Sequence, residues 1–217
     1  MKAIIISGSE RRNGITSMVA ETTMLILKDQ NVDVSIIHLS ELNFSPCDGC
    51  GNGENDCNYR EVPCEKKDDL PYIIDKLIQS DIIIYACPVH AFGICHLMQI
   101  FLERAGVGYL RFKRPLANNI GGCIIIGRKY HLGHAYDQIV NNMLLNRMIV
   151  PGAGFPVLIH GDELTKTITD TEEQVALEQM AKRMVQMYKS IDFNRLKVEW
   201  LNERDLNQAM EKINEKH

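Results

Sequence analysis

Residues 4–17 read Ile4-Ile5-Ile6-Ser7-Gly8-Ser9-Glu10-Arg11-Arg12-Asn13-Gly14-Ile15-Thr16-Ser17. The short run of isoleucines is typical of a buried strand in a parallel sheet. After Gly8 the sequence becomes polar, and from Ile15 onward apolar residues recur at helical spacing. A strand–loop–helix unit of this kind directs backbone N–H groups and the positive end of a helix at one point, which suits a phosphate.

The sequence of the loop in this stretch does not match the motifs of two common nucleotide-binding sites. It lacks the G-x-G-x-x-G pattern of dinucleotide-binding proteins and the G-K-[ST] ending of an NTPase P-loop. It does carry hydroxyl groups on Ser9, Thr16 and Ser17 and a positive charge on Arg11. The loop therefore predicts either a site for one terminal phosphate or an ordinary strand–helix turn with a Ser/Thr cap.

Composition narrows the class of protein. A chain of 217 residues, of which 45% are hydrophobic, can bury a large core as one domain. A net charge of −4 argues against nucleic acid as the main partner. No apolar run has the length of a membrane span, and Lys2 leads directly into a short strand, so we expect neither a membrane segment nor a signal peptide. We therefore expect a cytoplasmic protein whose seven cysteines serve as metal ligands or redox groups rather than as a disulfide framework.

Strands and helices alternate along the first 190 residues. Predicted strands that are apolar on both faces lie at about 4–6, 32–37, 81–86, 120–126 and 155–160. Five helices are predicted. The first begins at 15, the second runs from 68 or 69 to 78, and the third follows the turn after strand 3 and ends at about 105. The last two span 134–147 and 171–190. We predict an α/β fold, a flavodoxin-like doubly wound five-stranded parallel sheet in the order 2-1-3-4-5, with helices on both faces. In that order ligands bind outside the carboxyl ends of strands 1 and 3.

The two loops after strands 3 and 4 carry residues suited to a planar ring. After strand 3 we predict a turn over Cys87-Pro88-Val89-His90-Ala91-Phe92-Gly93. It either stacks on a ring or is a cis-proline or tight turn with Phe92 in the core. After strand 4, the glycines and cations of Gly127, Arg128, Lys129 and Gly133 either meet the electron-rich edge of a ring or form a solvated face. The imidazoles of His90, His131 and His134 either serve such a site or are solvated or structurally paired groups.

Residues 39–68 fit no regular element, and a loop of that length in a compact domain is usually functional. It contains the spacing Cys47-x2-Cys50-x6-Cys57-x6-Cys64. Four thiolates suffice for a [4Fe–4S] cluster, and four cysteines also form structural zinc sites. The segment therefore predicts a cluster, a zinc site or four free thiols. The remaining three cysteines, Cys87, Cys95 and Cys123, are expected to be core residues.

Together these motifs resemble the NADPH-dependent FMN reductase superfamily, and within it most closely the iron–sulfur flavoproteins. The resemblance covers roughly residues 1–160. It rests on Gly8-Ser9-x-Arg11-x-x-Gly14-x-Thr16-Ser17, on Cys47-x-x-Cys50, on Cys64 ahead of Asp68-Asp69-Leu70, and on Pro88-Val89-His90-Ala91-Phe92-Gly93. It implies that FMN is bound, with its phosphate held by Ser9, Arg11, Gly14, Thr16 and Ser17. It also implies a ring lined by Pro88, Val89, His90, Ala91, Phe92 and Gly93, with Gly127 and Gly133 near its pyrimidine edge.

The expected function is that of an NAD(P)H-dependent FMN oxidoreductase that moves electrons through FMN and a [4Fe–4S] cluster ligated by Cys47, Cys50, Cys57 and Cys64. No protein residue is assigned as catalytic, because electron transfer belongs to the flavin itself. The alternatives are a non-enzymatic electron-transfer flavoprotein partnered with ferredoxin, and a flavin-binding module with a structural zinc. The acceptor would be a small molecule or a redox protein.

Two units are predicted along the chain. Residues 1–190 form the flavodoxin-like FMN-binding domain with a cysteine-rich insertion at 45–66, and residues 191–217 form a helical extension. The extension is amphipathic, with apolar residues spaced among charges at Leu196, Trp200, Leu201, Leu206, Met210 and Ile213. An exposed apolar face of that kind favours a homo-oligomer, a dimer or a tetramer.

Overall fold

The computed structural model describes residues 1–50, 64, 66–106, 114–152, 154–162, 167–168, 170–194 and 196. In chain order, its elements are β1 (Lys2–Ser7), α1 (Ile15–Asp29), β2 (Asp33–His38), a 3₁₀ turn (Leu39–Glu41), α2 (Leu70–Ile78), β3 (Ile82–His90), β4 (Gly93–Ile94), α3 (His96–Gly106), β5 (Ile120–Gly127), α4 (Leu132–Leu145), β6 (Val157–Asp162), β7 (Thr167–Ile168) and α5 (Thr171–Ser190).

The sheet has the topology that the sequence predicts. Its parallel strands lie in the order β2-β1-β3-β5-β6, which is 2-1-3-4-5 when only the five predicted strands are counted. Two short strands were not predicted: β4 pairs antiparallel with β3, and β7 pairs antiparallel with β6. Both follow a longer strand directly and form hairpins with it. The predicted flavodoxin-like α/β fold is therefore confirmed.

Each face of the sheet is buried under helices. Ile4 and Ile6 of β1 belong to the core beneath α2, α3 and α4, whereas Ala3 and Ile5 belong to the core beneath α1 and α5. This alternation follows from the strand period of two, and it explains why the strand is apolar at every position.

Helix α5 begins with a side-chain cap. The side chain of Asp170 accepts a hydrogen bond from the Glu172 N–H at 2.7 Å, and acidic residues occupy the first turn of α5. At α2 the N-cap residue is Asp69, whose side chain makes no capping hydrogen bond, and Asp68 contacts the first turn instead. Asp68 Oδ1 accepts from the Leu70 N–H at 3.1 Å, and Asp69 Oδ2 accepts from the Asn43 N–H at 2.7 Å.

The third strand is longer than predicted. The sequence indicates a turn from Cys87 onward, but β3 continues to His90. β5 runs beside it and pairs Cys87 with Ile125 and Pro88 with Ile126, and the last two residues of β3 pair with β4. β1 stops opposite Ala86, so Pro88 has a neighbouring strand on one side only, where proline is tolerated in a sheet. No cis peptide bond occurs among the described residues, so the cis-proline alternative is wrong.

Two other elements are shifted by two residues from the prediction. Helix α4 spans Leu132–Leu145 rather than 134–147, and β6 spans Val157–Asp162 rather than 155–160. Of the predicted extension, only residues 191–194 and 196 are described. Within the described part of the chain, none of the helices is both long and apolar enough to span a bilayer.

Candidate functional site

A crevice opens where β3 runs on past the end of β1. It encloses about 550 Å³ at the carboxyl ends of β1, β3, β5 and β6. Its lining residues are Ser9, Glu10, Arg11, Gly14, Ile15, Thr16, Pro88, Val89, His90, Ile126, Gly127, Arg128 and Gly161. The predicted location, outside strands 1 and 3 at the point where the winding reverses, is where this cavity lies.

Side-chain hydroxyl groups stabilise the conformation of the first loop, residues 8–14, which joins β1 to α1. Ser9 Oγ accepts from the Arg11 N–H and donates to the Arg11 carbonyl, both at 3.1 Å. Ser17 Oγ donates to the same carbonyl at 3.1 Å. Ser17 is buried and does not line the cavity, so the structure gives its hydroxyl a part in shaping the loop rather than direct access to a ligand.

Helix α1 presents an uncapped N-terminus to the cavity. Its N-cap is Gly14, in an extended conformation, and no side chain caps the helix. No acidic residue lies in the first turn to occupy the positive end of the helix. The Ser/Thr-capped turn that the sequence left open is therefore not what forms. The helix end is instead available to an anion in the cavity, with Thr16 beside it.

Two glycines let the cavity walls approach closely. A Cβ at Gly127 would lie 3.1 Å from Leu132 Cδ1 and 3.3 Å from Val89 Cβ. A Cβ at Gly161 would lie 2.6 Å from Ile15 Cδ1, which real side chains do not tolerate without movement. Sequence reasoning missed Gly161, because it lies on β6 outside any motif and meets Ile15 only in the folded chain.

Only part of the segment predicted to line the ring, residues 88–93, lies in the cavity. Pro88, Val89 and His90 line it, whereas Ala91, Phe92 and Gly93 form the tip and far side of the β3–β4 hairpin. Phe92 is 63% exposed and its ring centroid lies 5.0 Å from that of His131, so the alternative that places Phe92 in the core is wrong.

The residues at the end of β5, the fourth predicted strand, and in the loop after it also lie only partly in the cavity. Gly127 and Arg128 line the cavity. Gly133 lies instead on a separate cavity of about 240 Å³ with Tyr136 and Phe155. Lys129 lies over the Tyr130 ring at 5.7 Å. The structure therefore brings Gly127 to the predicted site but not Gly133.

An acidic group that the sequence analysis missed lies at the mouth of the cavity. Glu10 Oε1 is 2.9 Å from His96 Nδ1 and 3.9 Å from His90 Nδ1. All three side chains are about half exposed. This contact links the first loop to β3 and α3, and its partners are about 80 residues apart in sequence, so no local pattern signals it.

The cysteine segment is anchored at both described ends by one arginine. Arg104 of α3 donates to the Ser45 carbonyl at 3.0 Å, to Cys64 Sγ at 3.5 Å and to the Asp68 carboxylate. The Arg104 and Asp68 side chains are only 2% and 5% exposed. Burial by itself would raise the pKa of Asp68, but the hydrogen bonds from Arg104 and from the Leu70 N–H outweigh it and lower that pKa.

The predicted metal ligands are only partly described. Cys47 and Cys50 are exposed, Cys64 is half-buried, and Cys57 lies outside the described residues. Within the described ranges, no three Cys, His, Asp or Glu side chains meet in an arrangement that could hold a metal ion. Two exposed thiols and a third beside a guanidinium provide soft ligands of the right chemical type for iron or zinc.

The chain is similar to known flavoproteins in sequence and in fold. A family model described as NADPH-dependent FMN reductase matches residues 1–162. An iron–sulfur flavoprotein of Methanocaldococcus jannaschii is 30% identical over 163 residues, which are 74% of this chain and 81% of that protein. An iron–sulfur flavoprotein of Archaeoglobus fulgidus is 27% identical over 183 residues, covering 81% of this chain and 79% of that protein. Among solved structures, RosB with a bound 8-demethyl-8-formylriboflavin-5'-phosphate superposes with a TM-score of 0.72 at 14% identity, over 100% of this chain and 88% of the other.

Proposed function

The chain belongs to the NADPH-dependent FMN reductase family, and from this premise we propose that its cavity binds FMN for the transfer of electrons from NAD(P)H. The protein is an FMN-dependent oxidoreductase. The observation that carries the assignment of the cavity is the uncapped N-terminus of α1, which opens into about 550 Å³ between β1 and β3.

The first loop provides the phosphate end of the proposed site. Thr16, Arg11 and the positive end of α1 all border the cavity. A terminal phosphate there would receive backbone N–H donors that no side chain competes for. The absence of dinucleotide glycines from the loop favours FMN over FAD.

The wall between β3 and β5 provides the ring end. Pro88 and Val89 form an apolar face, and the absence of a side chain at Gly127 lets Val89 and Leu132 pack closely against β5. When bound, FMN supplies the hydride and electron chemistry of the reaction. Arg128 presents a positive charge to the same cavity, which favours an anionic reduced ring, and the rim holds the imidazole of His90 as a hydrogen-bonding group.

We further propose that Cys47, Cys50, Cys57 and Cys64 ligate a [4Fe–4S] cluster. The support is the ligand chemistry, the Arg104 anchor that brings Ser45 and Cys64 to one helix, and the names of the relatives. A structural zinc site uses the same ligands but is redox-inert, and it would leave a flavin reductase without a second redox centre.

Purification without oxygen tests the cluster. The proposal expects brown protein with about four irons and four sulfides per chain and absorbance beyond that of flavin. Single Cys47→Ser or Cys64→Ser variants should lose iron and keep FMN, because the cysteine segment and the flavin loops are separate. Stoichiometric zinc without iron, or no metal at all, would contradict it.

Two measurements test the flavin. The cofactor released by heating should have the mass of FMN, and release of FAD would contradict the assignment of the phosphate loop. Anaerobic mixing with NADH or NADPH should bleach the flavin absorbance. If reduced ferredoxin bleached it and neither nicotinamide did, the protein would be an electron carrier rather than a reductase.

A further inference from the structure

Two cysteines that the sequence assigns to the core as separate residues meet in the fold. Cys87 Sγ and Cys95 Sγ lie 3.7 Å apart, and both side chains are fully buried. Cys95 Sγ also donates a hydrogen bond to the Gly8 carbonyl at 3.0 Å. The pair thus touches the first residue of the loop that begins the candidate phosphate site.

The pair lies at the base of the β3–β4 hairpin. Cys87 is in β3 directly before Pro88, and Cys95 directly follows β4 and precedes α3. The residues between them supply the wall of the cavity and the tip of the hairpin. A bond between the two sulfurs would therefore close the hairpin at its base.

The two thiols differ in their surroundings. Burial raises the pKa of Cys87. A hydrogen bond from the Cys87 thiol stabilises the thiolate of Cys95 and lowers the pKa of that group. Cys95 is thus the sulfur suited to act first as a nucleophile, with Cys87 as the resolving thiol.

We propose that Cys87 and Cys95 are a redox-active thiol pair, which a peroxide converts to an intrachain disulfide. The Cys95 thiolate attacks one peroxide oxygen, so that the O–O bond breaks and a sulfenic acid and water form after proton uptake. The Cys87 sulfur then attacks the sulfenic sulfur, the S–S bond forms, and the hydroxyl leaves as water with the Cys87 proton. Two thiols and one peroxide thus give one disulfide and two waters. A small dithiol reverses the step by exchange.

Oxidation changes the contact between the hairpin and the first loop. An S–S bond is about 2.05 Å long, so the sulfurs must approach each other from 3.7 Å. The oxidised Cys95 sulfur also has no proton to donate to the Gly8 carbonyl. We expect the loss of this hydrogen bond to weaken FMN binding by about three- to tenfold, a consequence that rests on the proposed function, whereas the thiol chemistry does not.

The test uses the full chain, with hydrogen peroxide followed by a thiol-alkylating reagent and trypsin. Both cysteines fall in one tryptic peptide, residues 77–104, because Lys76 and Arg104 are its flanking cleavage sites. The proposal expects this peptide to escape alkylation and to be lighter by two hydrogens, and to become doubly alkylated after prior reduction. Free thiols at both positions after peroxide, stable sulfinic acids, or a bond from either cysteine to a different one would overturn it.

Variants and a flavin titration complete the experiment. Cys87→Ala and Cys95→Ala should each abolish the light peptide, whereas Cys123→Ala, at an equally buried thiol on β5, should retain it. The wild-type result stands even if a variant fails to fold. FMN affinity is then measured for the reduced and oxidised wild type. An unchanged affinity in the disulfide form would overturn the coupling to the loop, and a failure of both forms to bind FMN would count against the proposed function alone.

Discussion

Thr16 and Arg11 lie where the uncapped end of α1 meets the cavity, and Thr16 is only 4% exposed. We expect Thr16→Ala and Arg11→Ala each to weaken FMN binding by about 1.5–3 kcal/mol, because each removes a hydrogen bond to a charged phosphate. Fluorescence titration of the apoprotein measures the change. Thr22→Ala is the matched control, since its hydroxyl donates within the helix to the Met18 carbonyl at 2.9 Å. Equal affinities in all variants would mean that the phosphate binds elsewhere.

Ala91 and Phe92 occupy the two central positions of the β3–β4 turn with φ of 47° and 67°. Left-handed backbone at both positions is the type I′ geometry of tight hairpins, for which Asn and Gly are preferred. We expect Ala91→Gly to be neutral or to stabilise by up to about 1 kcal/mol, and Ala91→Val to destabilise by about 1–2 kcal/mol. Urea unfolding followed by circular dichroism measures both, and a Val variant as stable as wild type would contradict the strain.

At the scale of elements, the buried Arg104–Asp68 pair fastens helix α3 to the segment that carries the cysteines. Asp68→Asn should cost about 3–5 kcal/mol of unfolding free energy, because it leaves the guanidinium buried without its counter-ion. The matched control is Glu178→Gln, which breaks the half-exposed pair with Lys182 on α5 and should cost less than about 1 kcal/mol. Similar losses in the two variants would contradict a special role for the buried pair.

The same pair makes stability depend on pH. The pKa of Asp68 is lowered in the folded protein, so its contribution is fully present above the unfolded value, about 3.9, and is lost as pH falls from there through the folded value. We expect the unfolding free energy of wild type to fall more steeply below about pH 4 than that of Asp68→Asn. Urea titrations at a series of pH values measure the difference, and parallel curves would rule out this source of acid sensitivity.

At the scale of the whole molecule, we propose that the C-terminal extension contributes to a homo-oligomer. Phe193 packs against Tyr188 with ring centroids 5.0 Å apart, and Tyr188 in turn donates to Asp81 Oδ1 at 2.8 Å. The apolar residues from Trp200 onward lie outside the described part and would need a partner surface. Truncation after Asn194, which keeps the Phe193 contact, should shift the protein toward monomer in light scattering. A full-length chain that is already monomeric would end this proposal.

The sequence by itself determined the fold class, the strand order and the position of the site. Isoleucine-rich runs identified buried parallel strands, because a strand covered on both faces must be apolar at every position. The loop from Gly8 to Gly14 predicted an anion site, and the structure places a cavity there, because a strand, a polar loop and a helix in direct succession have only local geometry to satisfy. These features depend on residues that are close together in the sequence, and a sequence pattern therefore predicts them.

Tertiary structure alone decided the contacts between distant segments. β3 continues past Ala86 because β5 lies beside it, and Gly161 lies where an added Cβ would collide with Ile15. Glu10 reaches His96, and Cys87 meets Cys95 beneath Gly8, only once the hairpin folds back onto the first loop. Each of these depends on which side chains the sheet and its helices bring within a few ångströms, and sequence spacing carries no record of that distance.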